Sequence, residues 1–122
     1  MLIQDVASEA FRTQSTERGT TYFVRLDGCL DLETNPDFVR YLATLTPLLK
    51  TERWMEVVFD CRTLYLMSSC AISSLATWVT TIQHARSHCQ ITFETDPNLK
   101  WQARTLDSIR RMYPDRISVL TV

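Results

Sequence analysis

The run Glu56-Val57-Val58-Phe59-Asp60 constrains this chain more than any other segment. Three consecutive apolar residues, two of them β-branched, sit between two acids. The run is too short for a helical stripe and lacks the alternation of a half-exposed strand. It predicts a strand covered on both faces, as in a sheet packed by helices. Such a strand cannot exist alone, so the rest of the chain must supply neighbouring strands and covering helices. The 122 residues suffice, since single domains cluster at about 100–150 residues.

The remaining elements follow from periodicity. In residues 21–27, Tyr22, Val24 and Leu26 alternate with Phe23, Arg25 and Asp27, which predicts a strand ending at Gly28. A short strand or extended stretch is expected over 29–32. Asn35 as N-cap, Pro36 at the first helical position and the box-like Thr34-x-x-Asp37 then open a helix. Its stripe is Phe38, Tyr41, Leu42, Leu45, Leu48 and Leu49. Pro47 falls inside that stripe and is expected to kink the helix or end it near Leu45. After the Val57 strand comes a second apolar cluster, Leu64-Tyr65-Leu66-Met67. Ser68 and Ser69 then open a helix with Ile72, Leu75, Trp78, Val79 and Ile82 on one face. A strand is expected over 90–94. Asp96-Pro97 should start a helix striped by Leu99, Ala103, Leu106 and Ile109, with Arg110 and Arg111 favourable at its negative end. A last strand is expected over 117–122. Before Gly19 the pattern is poor: Val6, Ala7, Ala10 and Phe11 mark either a short strand or a loose helical turn, and 13–20 reads as a polar turn. The expectation is one domain over 1–122, with 1–19 as its leader. The order of elements implies an α/β fold with a mixed, mostly parallel sheet flanked by helices.

Composition removes several classes of function. Thirteen basic residues against fourteen acidic ones leave no surplus to neutralise phosphates, so no nucleic-acid partner and no polybasic membrane contact are expected. Only two glycines occur, Gly19 and Gly28, and no Gly-rich phosphate loop can be built from them. Asp5 stands where a signal peptide would be basic or apolar, and no apolar run approaches the ~20 residues of a membrane span. No membrane insertion and a cytoplasmic location are expected. Cys29, Cys61, Cys70 and Cys89 form no C-x-x-C pair and read as reduced thiols. His84 and His88 share a helix face beside Cys89, but a zinc site needs further ligands that no spacing supplies, so a solvated helix end is the better reading. No metal, cofactor or hydrolase triad is expected, and the chain is read as non-enzymatic. Trp78 should join the core, whereas Trp101 falls off its helical stripe and is expected to be exposed, as a partner contact.

Three segments carry a resemblance. Phe23-Val24-Arg25-Leu26-Asp27-Gly28 followed by Cys29-Leu30-Asp31 matches a strand ending in Gly-x-Leu-Asp. Val57-Val58-Phe59-Asp60 precedes Leu64-Tyr65-Leu66-Met67-Ser68-Ser69-Cys70-Ala71-Ile72 at a strand-to-helix junction, and the Asp96-Pro97 helix with the last strand fits the remainder. Together, over about residues 20–122, they resemble the STAS domain of bacterial anti-sigma-factor antagonists. Ala71 stands where that family usually has glycine, Ser68 where it usually has Asp, and Cys70 where Ser or Ala is common. The resemblance implies a phosphorylated serine at Ser69, with Ser68 as second choice, and partner contacts at Asp31 and Cys70. It implies a binding module in a partner-switching circuit. A serine-kinase anti-sigma factor would bind the unphosphorylated form, and a serine phosphatase would restore that form. The alternative is a non-catalytic scaffold subunit of a signalling particle or lipid-transport complex. A monomer or homodimer would fit the switch, and a megadalton species the scaffold.

Overall fold

A computed structural model describes residues 3–51, 53–85 and 89–122. Strands β1 (Phe11–Arg18) and β2 (Thr21–Leu30) form a hairpin. They are followed by α1 (Asn35–Leu49), β3 (Glu56–Met67), α2 (Ser69–Ala85), β4 (Gln90–Thr95), α3 (Lys100–Arg110) and β5 (Ile117–Thr121). The sheet order is β1-β2-β3-β4-β5, with only the β1–β2 pair antiparallel. The expected α/β class and the central place of the Val57 strand are both present.

Each crossover steps in the same direction along the sheet. Right-handed crossovers that never reverse direction place their helices on one face. Contacts agree: Phe11 meets Phe38 of α1 edge to face, and Phe59 meets Trp78 of α2 in the same way. Residues of α3 form a groove with Val119 and Thr121 of β5. The opposite face carries no helix among the described residues. This corrects the expectation of a strand covered by helices on both sides. Val57 and Phe59 face the helices, whereas Val58 is shielded on the bare face by its cross-strand neighbours Phe23 and Thr92. It is buried all the same, because a central strand has a side chain beside it on either hand.

Other boundaries differ from the sequence expectation. Residues 13–18 are strand, not turn. Phe11, Thr13 and Ser15 point inward while Arg12 and Gln14 point out, so the alternation is present but written in hydroxyls. Asp5 makes those hydroxyls tolerable inside: its carboxylate accepts from Thr13 Oγ1, Ser15 Oγ and the Ser15 amide. The stretch 29–32 is no separate strand, since β2 runs on through Leu30. Pro47 lies within α1, which continues to Leu49. Leu45 and Leu49 are both fully buried, and their packing outweighs the one hydrogen bond that proline forfeits. The last helix begins at Lys100, after a turn in which Asp96 Oδ1 accepts from the Asn98 amide. Ile72 is half-buried and Ala103 exposed, whereas Leu75, Trp78, Val79 and Ile82 are core.

Gly28 lets the start of β1 approach β2 closely. Its φ is +105°, and an added Cβ would lie 2.2 Å from the Ala10 carbonyl oxygen, which accepts from the Cys29 amide at 2.9 Å. Gly28→Ala is therefore expected to cost about 2 kcal/mol or more. Gly19→Ala, in a turn with open space around it, should cost only about 1 kcal/mol. Urea unfolding of the two variants measures the difference, and equal midpoints would contradict the steric assignment.

Candidate functional site at the start of helix α2

The site is placed by the second half of β3. Pairing with β4 stops at Asp60 opposite Glu94, yet β3 continues to Met67 beside β2. Two register shifts interrupt that stretch, opposite Arg25–Asp27 and Gly28–Cys29, and each gives β3 one extra residue. Beyond Asp60 one edge of β3 thus lacks a strand partner. Side chains of α3 replace it. Gln102 Nε2 donates to the carbonyls of Cys61 and Leu64, Gln102 Oε1 accepts from the Asp96 amide, and Trp101 Nε1 donates to the Tyr65 carbonyl at 3.1 Å. Gln102 is fully buried. Sequence reasoning missed it by counting only apolar residues, although Gln102, Leu106 and Ile109 stand at helical spacing on one face. Trp101 is half-buried over this edge, not free for a partner as expected.

The extended β3 delivers Ser68 and Ser69 to the end of the sheet. The Ser68 amide donates to the Leu30 carbonyl at 2.8 Å, so Ser68 leaves the sheet beside Asp31. Ser68 is the cap of α2: its carbonyl accepts from the Ile72 amide, and its Oγ accepts from the Ala71 amide at 3.4 Å and lies 3.0 Å from Cys70 Sγ. Ser69, the first residue of α2, is exposed, and its hydroxyl has no hydrogen bond among the described residues. The two adjacent serines are thereby separated: the hydroxyl of Ser68 is engaged by the fold and, among the described residues, that of Ser69 is not.

The Asp31 carboxylate closes the loop into α1. Its Oδ1 accepts from the amides of Glu33 and Thr34, both at 3.0 Å, and from Thr34 Oγ1. The Thr34 amide bond foremost, with the Thr34 hydroxyl and Glu33 amide in support, holds this carboxyl below the usual carboxylate range. Thr34, not Asn35, holds the N-cap position of α1, although its hydroxyl bonds back to Cys29 and Asp31 and not to the helix. Asn35 reaches across instead, its Oδ1 accepting from Ser74 Oγ of α2 at 3.2 Å. Asp31, Cys70 and the serine pair are thus brought to one pole, where α1 and α2 both begin. Leu32, 78% exposed, stands in the same loop.

From this pole runs an uncharged surface. Helix α2 has no Asp, Glu, Lys or Arg along its whole length. Its outward residues Ser73, Thr77 and Thr81 line a shallow, mostly apolar groove with Val39 and Ala43 of α1, floored by Trp78. Trp78 Nε1 donates to Thr46 Oγ1 at 2.9 Å, so the indole's one polar atom is satisfied within the floor. His84 lies at the far end of α2, and its partner in the histidine pair, His88, lies outside the described residues. Among the described residues no disulfide links the four cysteines; Cys61 and Cys89 are buried, Cys29 and Cys70 half-buried. Desolvation pushes the Cys61 thiol well above its ordinary pKa, which leaves it inert. No described helix is long and apolar enough to cross a membrane.

No protein-family profile and no curated protein sequence matches the chain. Solved structures do. An anti-sigma factor antagonist from Mycobacterium paratuberculosis superposes with a TM-score of 0.72 at 12% identity, over 93% of this chain and 88% of that one. The STAS domain of an antisigma-factor antagonist from Rhodobacter sphaeroides gives 0.55 at 17% identity, over 71% and 88%. The anti-sigma factor antagonist SpoIIAA in its unphosphorylated form gives 0.58 at 12%, over 93% and 89%. The chain therefore has the STAS fold of anti-sigma-factor antagonists, as its motifs imply.

If Gln102 supports the pole, Gln102→Met must strand two β3 carbonyls and the Asp96 amide. A loss of about 1–3 kcal/mol in urea unfolding is expected. Amide exchange should also accelerate over residues 62–67. A change under about 0.5 kcal/mol, the range of an ordinary surface substitution, would show that these bonds do not hold the strand.

Proposed function

We propose that this protein is a cytoplasmic, non-catalytic binding module switched by phosphorylation of Ser69, acting as an anti-sigma-factor antagonist. Its partners on this reading are a serine-kinase anti-sigma factor, which binds and phosphorylates it, and a serine phosphatase, which restores it. It works as a monomer or homodimer. The observation that carries the choice of residue is the uncommitted, exposed hydroxyl of Ser69 beside the engaged hydroxyl of Ser68.

The energetics support a switch at this position. A phosphoserine carries about −1.5 to −2 charges at neutral pH. At the first residue of a helix, free amides and the macrodipole stabilise that charge, so the fold tolerates it. Along the rest of α2 no formal charge answers it. A partner shaped to the neutral face of α2 would have to bury a dianion without a basic residue of that helix to offset it, which desolvation and repulsion oppose. Asp31 and Cys70 flank the acceptor and supply the partner's adjoining contacts. Asp31 adds like charge beside a phosphate, which sharpens the change.

Treatment with the cognate kinase should add one phosphate, mapped to Ser69 by mass spectrometry. Ser69→Ala should lose it, keep its fold within about 0.5 kcal/mol and still bind the kinase. Ser68→Ala should cost about 0.5–2 kcal/mol as a lost cap, yet still be phosphorylated. Ser69→Asp, with one charge where phosphate brings nearly two, should weaken binding less than phosphorylation does. A protein that takes no phosphate at either serine, binds as tightly with Ser69→Asp as without it, and sediments as a megadalton particle would instead be a scaffold subunit.

A further inference from the structure

The two edges of the sheet are treated differently. At the β1 edge the chain doubles back: the Thr13 amide donates to the Val6 carbonyl at 3.0 Å, and the Ser8 amide to the Phe11 carbonyl at 3.2 Å. That edge also carries Arg12, Glu17 and Arg18. Charges and a covering segment are how proteins keep an edge strand from pairing with other chains. The β5 edge has neither. Its sequence, Ile-Ser-Val-Leu-Thr, holds no charge and no proline. The Arg116 carbonyl and the Val122 amide bond to β4, so residues of that parity face inward. Val119 and Thr121, of the other parity, turn their N–H and C=O groups outward, and these have no partner among the described residues. Leu120 is half exposed on the bare face of the sheet.

Beside this open edge lies a groove of about 490 Å³ between β5 and α3. It is basic. Arg104, Arg110 and Arg111 line it with one acid, Asp107, which is shared by Arg110 and Arg111 at 2.7 and 2.9 Å. Arg104 has no ion pair or hydrogen bond from its side chain among the described residues. The same two strand residues that expose their backbone, Val119 and Thr121, form the strand wall of the groove. A strand added to β5 would therefore send every second side chain toward the arginines and the others toward Leu120.

We propose that the β5 edge docks an extended peptide segment of a partner protein, with acidic side chains at alternate positions and apolar ones between them. The open backbone groups supply the strand pairing, and the arginines of α3 supply selectivity. A second copy of this chain fits less well. Edge-to-edge pairing of two β5 strands about a twofold axis would bring two α3 arginine clusters onto the same face, across the axis from each other, and like charges resist that. This surface lies at the β5 edge, two strands away from the central strand β3 that leads to Ser69, and its test does not require Ser69 to be a phosphoacceptor.

The probe is a fluorescein-labelled six-residue peptide of alternating valine and glutamate, titrated against the full chain by anisotropy and by amide NMR. Saturable binding is expected, with the Val119 and Thr121 amides shifting and becoming protected from exchange. Arg104→Glu, at an exposed position, should lower affinity by about tenfold with thermal unfolding unchanged, and Arg111→Glu should lower it by as much with a small loss of stability, since it gives up the Asp107 pair at the helix end. Rising salt should weaken binding. Absence of saturable binding, equal binding of a valine–lysine peptide, or indifference to both charge reversals would overturn the proposal. So would a dimer in sedimentation whose Val119 and Thr121 amides are already protected without peptide.

Discussion

Gln102 is the side chain on which the geometry of the serine pole depends. A strand that outruns its neighbour leaves carbonyls facing nothing, and buried carbonyls without donors are costly. Here one fully buried amide group serves two of them and anchors the loop into α3 as well. Trp101 serves a third. With its edge satisfied in this way, β3 continues beside β2 through two bulges and releases the chain at Ser68. Were that edge unsupported, β3 would end where β4 ends, near Asp60, and the first turn of α2 would lose its fixed place beside Asp31.

The candidate site divides structural labour from chemical availability among neighbouring residues of one type. Ser68 caps α2 and touches Cys70, and Ser69 one residue later faces water. Thr34 and Asp31 hold each other across the loop into α1, and Asn35 ties that helix start to α2 through Ser74. These bonds join the two helix starts into one pole. Its electrostatics are simple. The anion-favouring ends of α1 and α2 are there, and the outer surface of α2 has no fixed charge to oppose or complement an added group.

Much of this was legible in the sequence, and several of the misses share a cause. The Val57 run, the alternation over 21–27, the stripe of α2 and the Met67-Ser68-Ser69 junction are all written in apolar periodicity or cap chemistry. Each forms the expected element, although among the described residues helices cover the Val57 strand on one face only and Ile72 is half-buried. What was misread is written in polar residues turned inward. Strand β1 alternates Phe11, Thr13 and Ser15, which looks like a turn unless Asp5 is known to bond the hydroxyls. Gln102 is core, and its amide, not an apolar surface, is what the fold uses. Pro47 misled for the opposite reason: a local rule was overridden by the tertiary burial of Leu45 and Leu49. Cap chemistry alone could not rank the two serines, and only the family resemblance put Ser69 first; the physical difference between them is a hydrogen bond and an exposure that the sequence does not write.

The central claim is that a phosphate at Ser69 changes the charge of a preformed surface without remaking the fold. The most direct measurement uses protein carrying phosphoserine at position 69, installed during synthesis, and compares its amide NMR spectrum and thermal unfolding with the unmodified chain. Shifts confined to the first turn of α2 and to residues 31–35, with stability equal or slightly higher, are the result expected of a charge placed at a helix start. Widespread shifts through β3 and α3, or a marked loss of stability, would contradict it, because the phosphate would then act by disrupting the pole.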